Sequence, residues 1–211
     1  MPHQISDDNF ALLLEIKEEW NKAEKDIKIA EQVTNNIVIP SVKELRYAGR
    51  RLIDAIHEMA TQNNEKVVSG LLEECRFDCY RSRHDAVDAA TAKISVDLDI
   101  MSRRLGYKAI LAVFPDFPAL CRSLDSIREK ISASRKNRNN REAIYSSIES
   151  VDFPDLVRIF SEMKSSENMM KGMVQQERRK EFYHKAAFWI GIIAFIASVA
   201  WEGWKYIFQQ H

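Results

Sequence analysis

The sequence predicts an all-α protein, a cytoplasmic multi-helix bundle that carries one C-terminal transmembrane helix. The 211 residues include only 6 Gly and 5 Pro, and 29% are charged, which is typical of long helices rather than sheets. Apolar residues recur at steps of three and four along most of the chain, the period of amphipathic helices. The segment Ala186–Trp201 differs, because it contains no charged residue.

Residues that commonly start or end helices predict the bounds of the first three helices. Ser6 can cap a helix that runs to about residue 34, where two asparagines end it. After Pro40, the stretch Ser41–Glu44 has the capping-box pattern, which predicts the start of a second helix. A third helical segment covers about 64–105, and Gly106 is a natural residue to end it.

The second half is predicted to be helical as well. The apolar run 109–114 is short and indicates a buried helix, since no partner strand is visible. The polar stretch 132–141 is predicted to be a loop, and a helix from residue 155 is expected to run into the membrane span. The predicted organisation is a helical body over 1–150, a stalk over 151–185, a span over 186–208 and a tail over 209–211.

The prediction of a membrane span rests on the length of the segment, the placement of its aromatic residues and the charge of its flanks. Residues 186–208 would form a helix of about 34 Å, against a hydrocarbon core of about 30 Å. Trp189 lies near one end, and Trp201 lies near the other, where aromatic rings favour headgroup depth. Basic residues crowd the N-terminal flank at 178–185, which predicts that the body is cytoplasmic. The alternative is a hydrophobic helix buried in a soluble core.

Small and polar residues share one face of the predicted span. At about 100° per residue they fall within a sector of about 80°. The face comprises Ala187, Gly191, Ala194, Ser198, Glu202 and Lys205. Small residues allow helices to approach closely, and a carboxylate avoids lipid, so the pattern predicts a homo-oligomer with this face turned inward. The alternative is that Glu202 lies in water at the outer interface and that the small residues coincide by chance.

A charged stretch of the third helix is the candidate polar network or partner site. Its residues are Arg76, Tyr80, Arg81, Arg83, His84 and Asp85. A ligand or phosphate site is the alternative to a network between packed helices or subunits. The spacing of Cys75, Cys79 and His84 matches no structural zinc pattern, so no metal is predicted.

Composition and motifs exclude several function classes. The 31 basic and 31 acidic residues balance, so no net field indicates nucleic acid or an acidic ligand. The sequence has no phosphate-binding loop, dinucleotide fingerprint or nucleophile elbow, and no cofactor is predicted. The basic stretch Arg135–Arg141 could meet anionic lipid or RNA, with a solvated loop as the alternative.

Arg51 and His57 form an R-x5-H pattern on the second helix. Together with the all-helical body, this pattern resembles the HEPN superfamily, whose ribonuclease members pair such an Arg and His around a scissile phosphate. The resemblance implies that Arg51 stabilises phosphate charge and that His57 moves a proton. Leu52 stands where that family prefers Asn, Asp or His.

Small HEPN-like domains with a terminal span resemble the membrane effectors of bacterial antiphage systems, including accessory proteins of RNA-targeting CRISPR nucleases. The resemblance implies an oligomer that permeabilises the bacterial inner membrane, and the leading hypothesis is a pore. The alternatives are a membrane-tethered ribonuclease and a non-catalytic anchor or adaptor. The expected partners are membrane lipid and other copies of the chain, with RNA, a nucleotide signal or a nuclease partner as further candidates.

Overall fold

The computed structural model describes residues 5–62 and 64–208, and the side chains of Arg138, Ala200 and residues 202–208 are outside that description. Helix makes up 93% of the described residues, and this part of the chain contains no strand. The helices of this part are α1 (Asp7–Thr34), α2 (Ile39–Thr61), α3 (Glu65–Leu105), α4 (Tyr107–Val113), α5 (Phe117–Lys136), α6 (Arg141–Ser147), α7 (Phe153–Ser165) and α8 (Glu167–Phe208). The all-α prediction is therefore confirmed.

The long helix α3 is the central element of the body. Its 41 residues correspond to a length of about 60 Å. Both α1 and α2 pack along α3 and contact each other little. A short 3-10 turn precedes α6, and a π-helical turn (Ile148–Asp152) joins α6 to α7.

The predicted ends of α1 and α3 are confirmed. The Ser6 side chain caps α1 by accepting a hydrogen bond from the amide of Asn9 at 3.4 Å. Asn35 follows α1 with a left-handed φ of 53°, and Gly106 follows α3 with a φ of 79°. Both residue types tolerate this conformation better than others, so these ends follow from local sequence.

The capping box predicted at Ser41 is wrong. Helix α2 begins two residues earlier, at Ile39, and its N-terminus has no side-chain cap. The Ser41 hydroxyl instead donates to the carbonyl of Ser82 on α3 at 2.5 Å, and the Ser82 hydroxyl donates to the carbonyl of Ser41 at 2.9 Å. Both serines are fully buried, so a tertiary contact has replaced the local one.

The body contains two hydrophobic cores that share α3. The smaller core joins the first halves of α1 and α3 to α2 through Leu12, Ile16, Ala48, Ala55, Val68, Leu72, Cys75 and Cys79. The main core joins the second halves of α1 and α3 to α4, α5, α6, α7 and the start of α8. Its members include Ile27, Ile94, Ile110, Leu120, Ile127, Tyr145, Leu156 and Met163. The residues of α3 between the two cores are largely polar.

The second half differs from the prediction in two places. Helix α5 continues to Lys136, because Ile131 and Ser134 are buried and hold this part of the predicted loop against the body. The predicted stalk over 151–185 divides in two. Helix α7 packs in the main core through Leu156 and Phe160. The helix ends at Ser165, and Ser166 separates it from α8.

Helix α8 starts on the body and then leaves it. Met170 is fully buried in the main core, and Lys108 of α4 contacts Glu177 at 2.9 Å. From residue 175 to residue 199 every side chain is exposed except the half-buried Ala186 and Ile192. The stretch Glu167–Val199 is long and apolar enough to cross a membrane, and its most apolar part is not buried in the body.

Candidate functional site

A band of buried polar residues crosses α3 between the two cores. Ser82, Arg83 and His84 are consecutive in sequence, and each is at most 4% exposed. Helix α1 approaches from one direction, and α6 with the π-helical turn approaches from another. Burying charge is costly unless partners compensate it, so the partners of Arg83 determine what this band can do.

Arg83 lies at the centre of a carboxylate cluster. Its guanidinium forms ion pairs with Glu19 of α1 and Glu149 of the π-helical turn. Glu142 of α6 lies 3.6 Å from Nη1, and Asp26 of α1 lies 3.9 Å from Nε. Four carboxyl groups from three elements therefore surround one cation. We call these five residues the Arg83 cluster.

Burial of the band changes how tightly Asp26 and His84 bind protons. Burial raises the pKa of Asp26 from 3.8 to about 6, although the positive charge of Arg83 opposes the shift. Burial also lowers the pKa of His84, while its contact with Glu142 acts in the opposite direction. The band thus favours a neutral imidazole and holds a proton on Asp26 at mildly acidic pH.

A second chain of contacts leads from His84 to the surface. The His84 ring stacks on Tyr145 with 3.7 Å between ring centroids, and its Nε2 lies 3.3 Å from Glu142. The Tyr145 hydroxyl donates to Asp88 at 2.7 Å, and Arg135 donates to the other oxygen of Asp88 at 2.8 Å. Burial raises the pKa of Tyr145 above its ordinary value, so the phenol remains a donor.

The remaining residues of the predicted polar stretch have separate surroundings. Arg76 contacts Glu15 of α1 and Glu73, each at 2.6 Å. Arg81 contacts Asp78 at 3.2 Å. The guanidinium of Arg83 lies 5.7 Å from the centre of the Tyr80 ring, within cation–π range.

Asp85 is half-buried, and burial raises its pKa. The structure therefore brings Tyr80, Arg83 and His84 together. It places Arg76 and Arg81 in ion pairs outside this group.

Arg51 and His57 do not meet. The Arg51 guanidinium donates to Glu74 and to the buried Asp78 of α3, each at 2.6 Å. The hydrogen bond to Glu74 raises the pKa of Arg51. His57 is exposed, and six helical steps place it about 120° from Arg51 around the axis of α2. Arg51 binds α3, whereas His57 points away from it.

Sequence reasoning missed most partners in this band, namely Glu19, Asp26, Asp88, Glu142, Tyr145 and Glu149. One signal was present in α1, where Glu19 and Asp26 occupy the same helical face as Ile16, Ala23 and Ile27. A carboxylate among core positions indicates a buried partner. The partners from α6 and the π-helical turn carried no comparable signal.

The described residues of the predicted packing face do not contact the body. Ala187, Gly191, Ala194 and Ser198 are all exposed, and a Cβ added to Gly191 would have no described atom within 4 Å apart from its chain neighbours and the backbone of its own helix. The Ser198 hydroxyl donates to the carbonyl of Phe195 at 2.8 Å. Glu202 and Lys205, the other members of the predicted face, have side chains outside the described part of the structure.

The described side chains include no group of three or more His, Cys, Asp or Glu that could hold a metal ion. No family model, curated protein or solved structure matches the chain.

Proposed function

We propose that this chain is a single-pass membrane protein that self-associates through α8 and forms or gates a pore in the bacterial inner membrane. The observation that carries the proposal is the apolar surface of α8. Phe188, Ile190, Ile193, Phe195 and Val199 are each 56–69% exposed. Leaving such a side chain in water instead of an apolar phase costs about 1.5–3 kcal/mol, so a bilayer is a far better environment.

The orientation of the proposed span follows from charge. Arg178, Arg179, Lys180 and Lys185 precede the apolar stretch, and basic residues remain on the cytoplasmic side. The helical body would then lie in the cytoplasm, joined to the bilayer through the exposed segment after Glu177.

The proposed association uses the small-residue face. Without bulky side chains at Ala187, Gly191 and Ala194, two helices can approach closely and gain dispersion energy. Ser198 contributes size rather than polarity, because its own helix satisfies its hydroxyl. A pore lining would therefore depend on Glu202, whose charge would favour cations at the outer mouth.

Cysteine cross-linking in native membranes tests the association. In a Cys121→Ser background, Gly191→Cys should form disulfide-linked dimers, whereas Ile196→Cys on the opposite face of α8 should not. Cys75 and Cys79 are buried and can remain. Equal cross-linking at both positions, or none at Gly191→Cys, would contradict self-association through this face.

Conductance separates a pore from an anchor. In planar bilayers, Glu202→Gln should reduce cation selectivity without changing oligomer size, because only the charge is removed. Replacing 186–208 with a polyleucine span should abolish conductance while membrane attachment persists. Unchanged selectivity in Glu202→Gln would remove that residue from the path, and unchanged conductance with polyleucine would refute the pore.

The antiphage context and the alternative HEPN-type ribonuclease rest on the sequence resemblance. The alternative requires Arg51 and His57 to act on one phosphate, with the pair completed by a second copy. RNA cleavage by the purified protein that is lost in His57→Ala would support the ribonuclease. The same cleavage in wild type and variant would exclude this pair.

A further inference from the structure

A cleft between α3 and α5 lies at the surface end of the polar band. Its polar lining residues are Asp88, Thr91 and Ser95 of α3, and Arg128, Ser132 and Arg135 of α5. On each helix these residues are spaced by three and four, so they form two facing polar faces. The cleft has a volume of about 360 Å³.

The charge of the cleft favours an anion. Two guanidinium groups line it against one carboxylate, and that carboxylate, Asp88, already accepts hydrogen bonds from Arg135 and Tyr145. Arg128 contacts Asp125 only at 3.8 Å, which is too long for a hydrogen bond. Arg128 is therefore available to bind an oxyanion, the ligand that guanidinium groups recognise best.

Thr91 supplies an independent indication of a ligand. It is 2% exposed, and its hydroxyl has no hydrogen-bond partner among the described residues. Buried hydroxyls are nearly always paired. A hydroxyl without a partner in the wall of a basic cleft is therefore a candidate donor to a bound group.

The size and apolar lining limit the ligand class. The volume is near the lower end of the range of about 300–1,000 Å³ that is typical of ligand pockets. Ala92, Val96 and Ile131 add apolar contact area beside the polar groups. A phosphate group attached to one small ring system matches both the charge and the space.

We propose that the α3–α5 cleft binds a small phosphorylated ligand of mononucleotide size. Arg128 and Arg135 contact the phosphate, Thr91 and Ser95 donate hydroxyl hydrogen bonds, and Val96 and Ile131 contact the ring. The proposal does not depend on the membrane function of α8, because all of these residues lie in the helical body.

Calorimetric titration of the full-length protein in detergent micelles tests the assignment, with adenosine 5′-monophosphate as the probe. Adenosine at the same concentration is the uncharged control, and inorganic phosphate measures the anion contribution alone. We expect the monophosphate to bind, phosphate to compete with it, and adenosine to give no signal.

Three variants locate the binding. Arg128→Gln should weaken it by about tenfold, the loss typical of one charge-assisted hydrogen bond. Thr91→Val should weaken it without lowering the melting temperature of the protein alone, because the lost hydroxyl has no described partner. Arg122→Gln, an exposed arginine of α5 outside the cleft, is the matched control.

The assignment is overturned if the monophosphate binds no better than adenosine, or if it binds equally well after Arg128→Gln and Thr91→Val. It is also overturned if Arg122→Gln weakens binding as much as Arg128→Gln, since that result would indicate a diffuse electrostatic effect.

Discussion

Replacing Asp26 by Asn should change how the stability of the protein depends on pH. Burial raises the pKa of Asp26 from 3.8 to about 6, with Glu19 acting in the same direction and Arg83 and Lys25 acting against it. The folded state therefore binds this proton more tightly than the unfolded state. Stability from this group is greatest below pH 3.8 and falls as the pH rises to about 6.

The size of the stability change follows from the pKa shift of Asp26. A difference of about two pKa units corresponds to about 3 kcal/mol of unfolding free energy, at 1.36 kcal/mol per unit. The contribution of Asp26 to wild-type stability should fall by this amount between about pH 4 and pH 6.5 and should then stay constant. Asp26→Asn has no proton to lose at this position, so its stability relative to wild type should rise by about 3 kcal/mol over the same range.

Urea unfolding of the full-length protein in nonionic detergent, followed by far-ultraviolet circular dichroism at half-unit pH steps, measures the effect. Glu18→Gln is the matched control, because Glu18 is an exposed carboxylate on the same helix. Its stability difference from wild type should not change with pH. If the difference for Asp26→Asn is also constant from pH 4 to pH 7, the argument from burial at Asp26 is refuted.

Other substitutions probe the band and the helix ends through the same unfolding measurement. Arg83→Met should destabilise the protein by about 3–5 kcal/mol at pH 7, since it leaves buried carboxylates without their cation; wild-type stability would contradict that role. Tyr145→Phe should cost about 1 kcal/mol through the lost hydrogen bond to Asp88, and no loss would show that water replaces it. Gly106→Ala should destabilise by about 1–3 kcal/mol because φ is 79° there. Gly70→Ala, inside α3 with open space around it, should stabilise the protein by about 0.5–1 kcal/mol. If alanine shifted the unfolding free energy in the same direction at both glycines, the argument from backbone conformation would be contradicted.

Local sequence was sufficient to predict the structural features that depend on residues close together in the chain. The cap at Ser6, the left-handed Asn35 and the terminating Gly106 lie where the sequence predicts them, because each depends on contacts within a few residues. The apolar α8 was equally predictable, since its composition alone distinguishes it from the amphipathic helices around it. The prediction failed at Ser41, where a local cap competed with a partner 41 residues away.

The contacts of the candidate sites could not be predicted in the same way. Arg83 was singled out from its charge, but Glu19 is 64 positions earlier, and Glu149 belongs to a turn far beyond it. The α3–α5 cleft likewise joins Thr91 to Arg128 across two helices. No periodicity links such positions. The spacing of apolar residues shows which face of a helix is buried, but not which distant residue packs against it.

The amino-acid sequence alone determined that the chain is helical, where several helices end, and that its C-terminal helix is apolar on nearly all sides. Each of these properties arises from interactions within a few turns of one helix. The tertiary structure decided that α3 carries a polar band between two cores, that Arg51 binds α3 instead of joining His57, and that a basic cleft opens beside α5. Those outcomes depend on which helices pack together, and packing is set by the combined burial of residues that are distant along the chain.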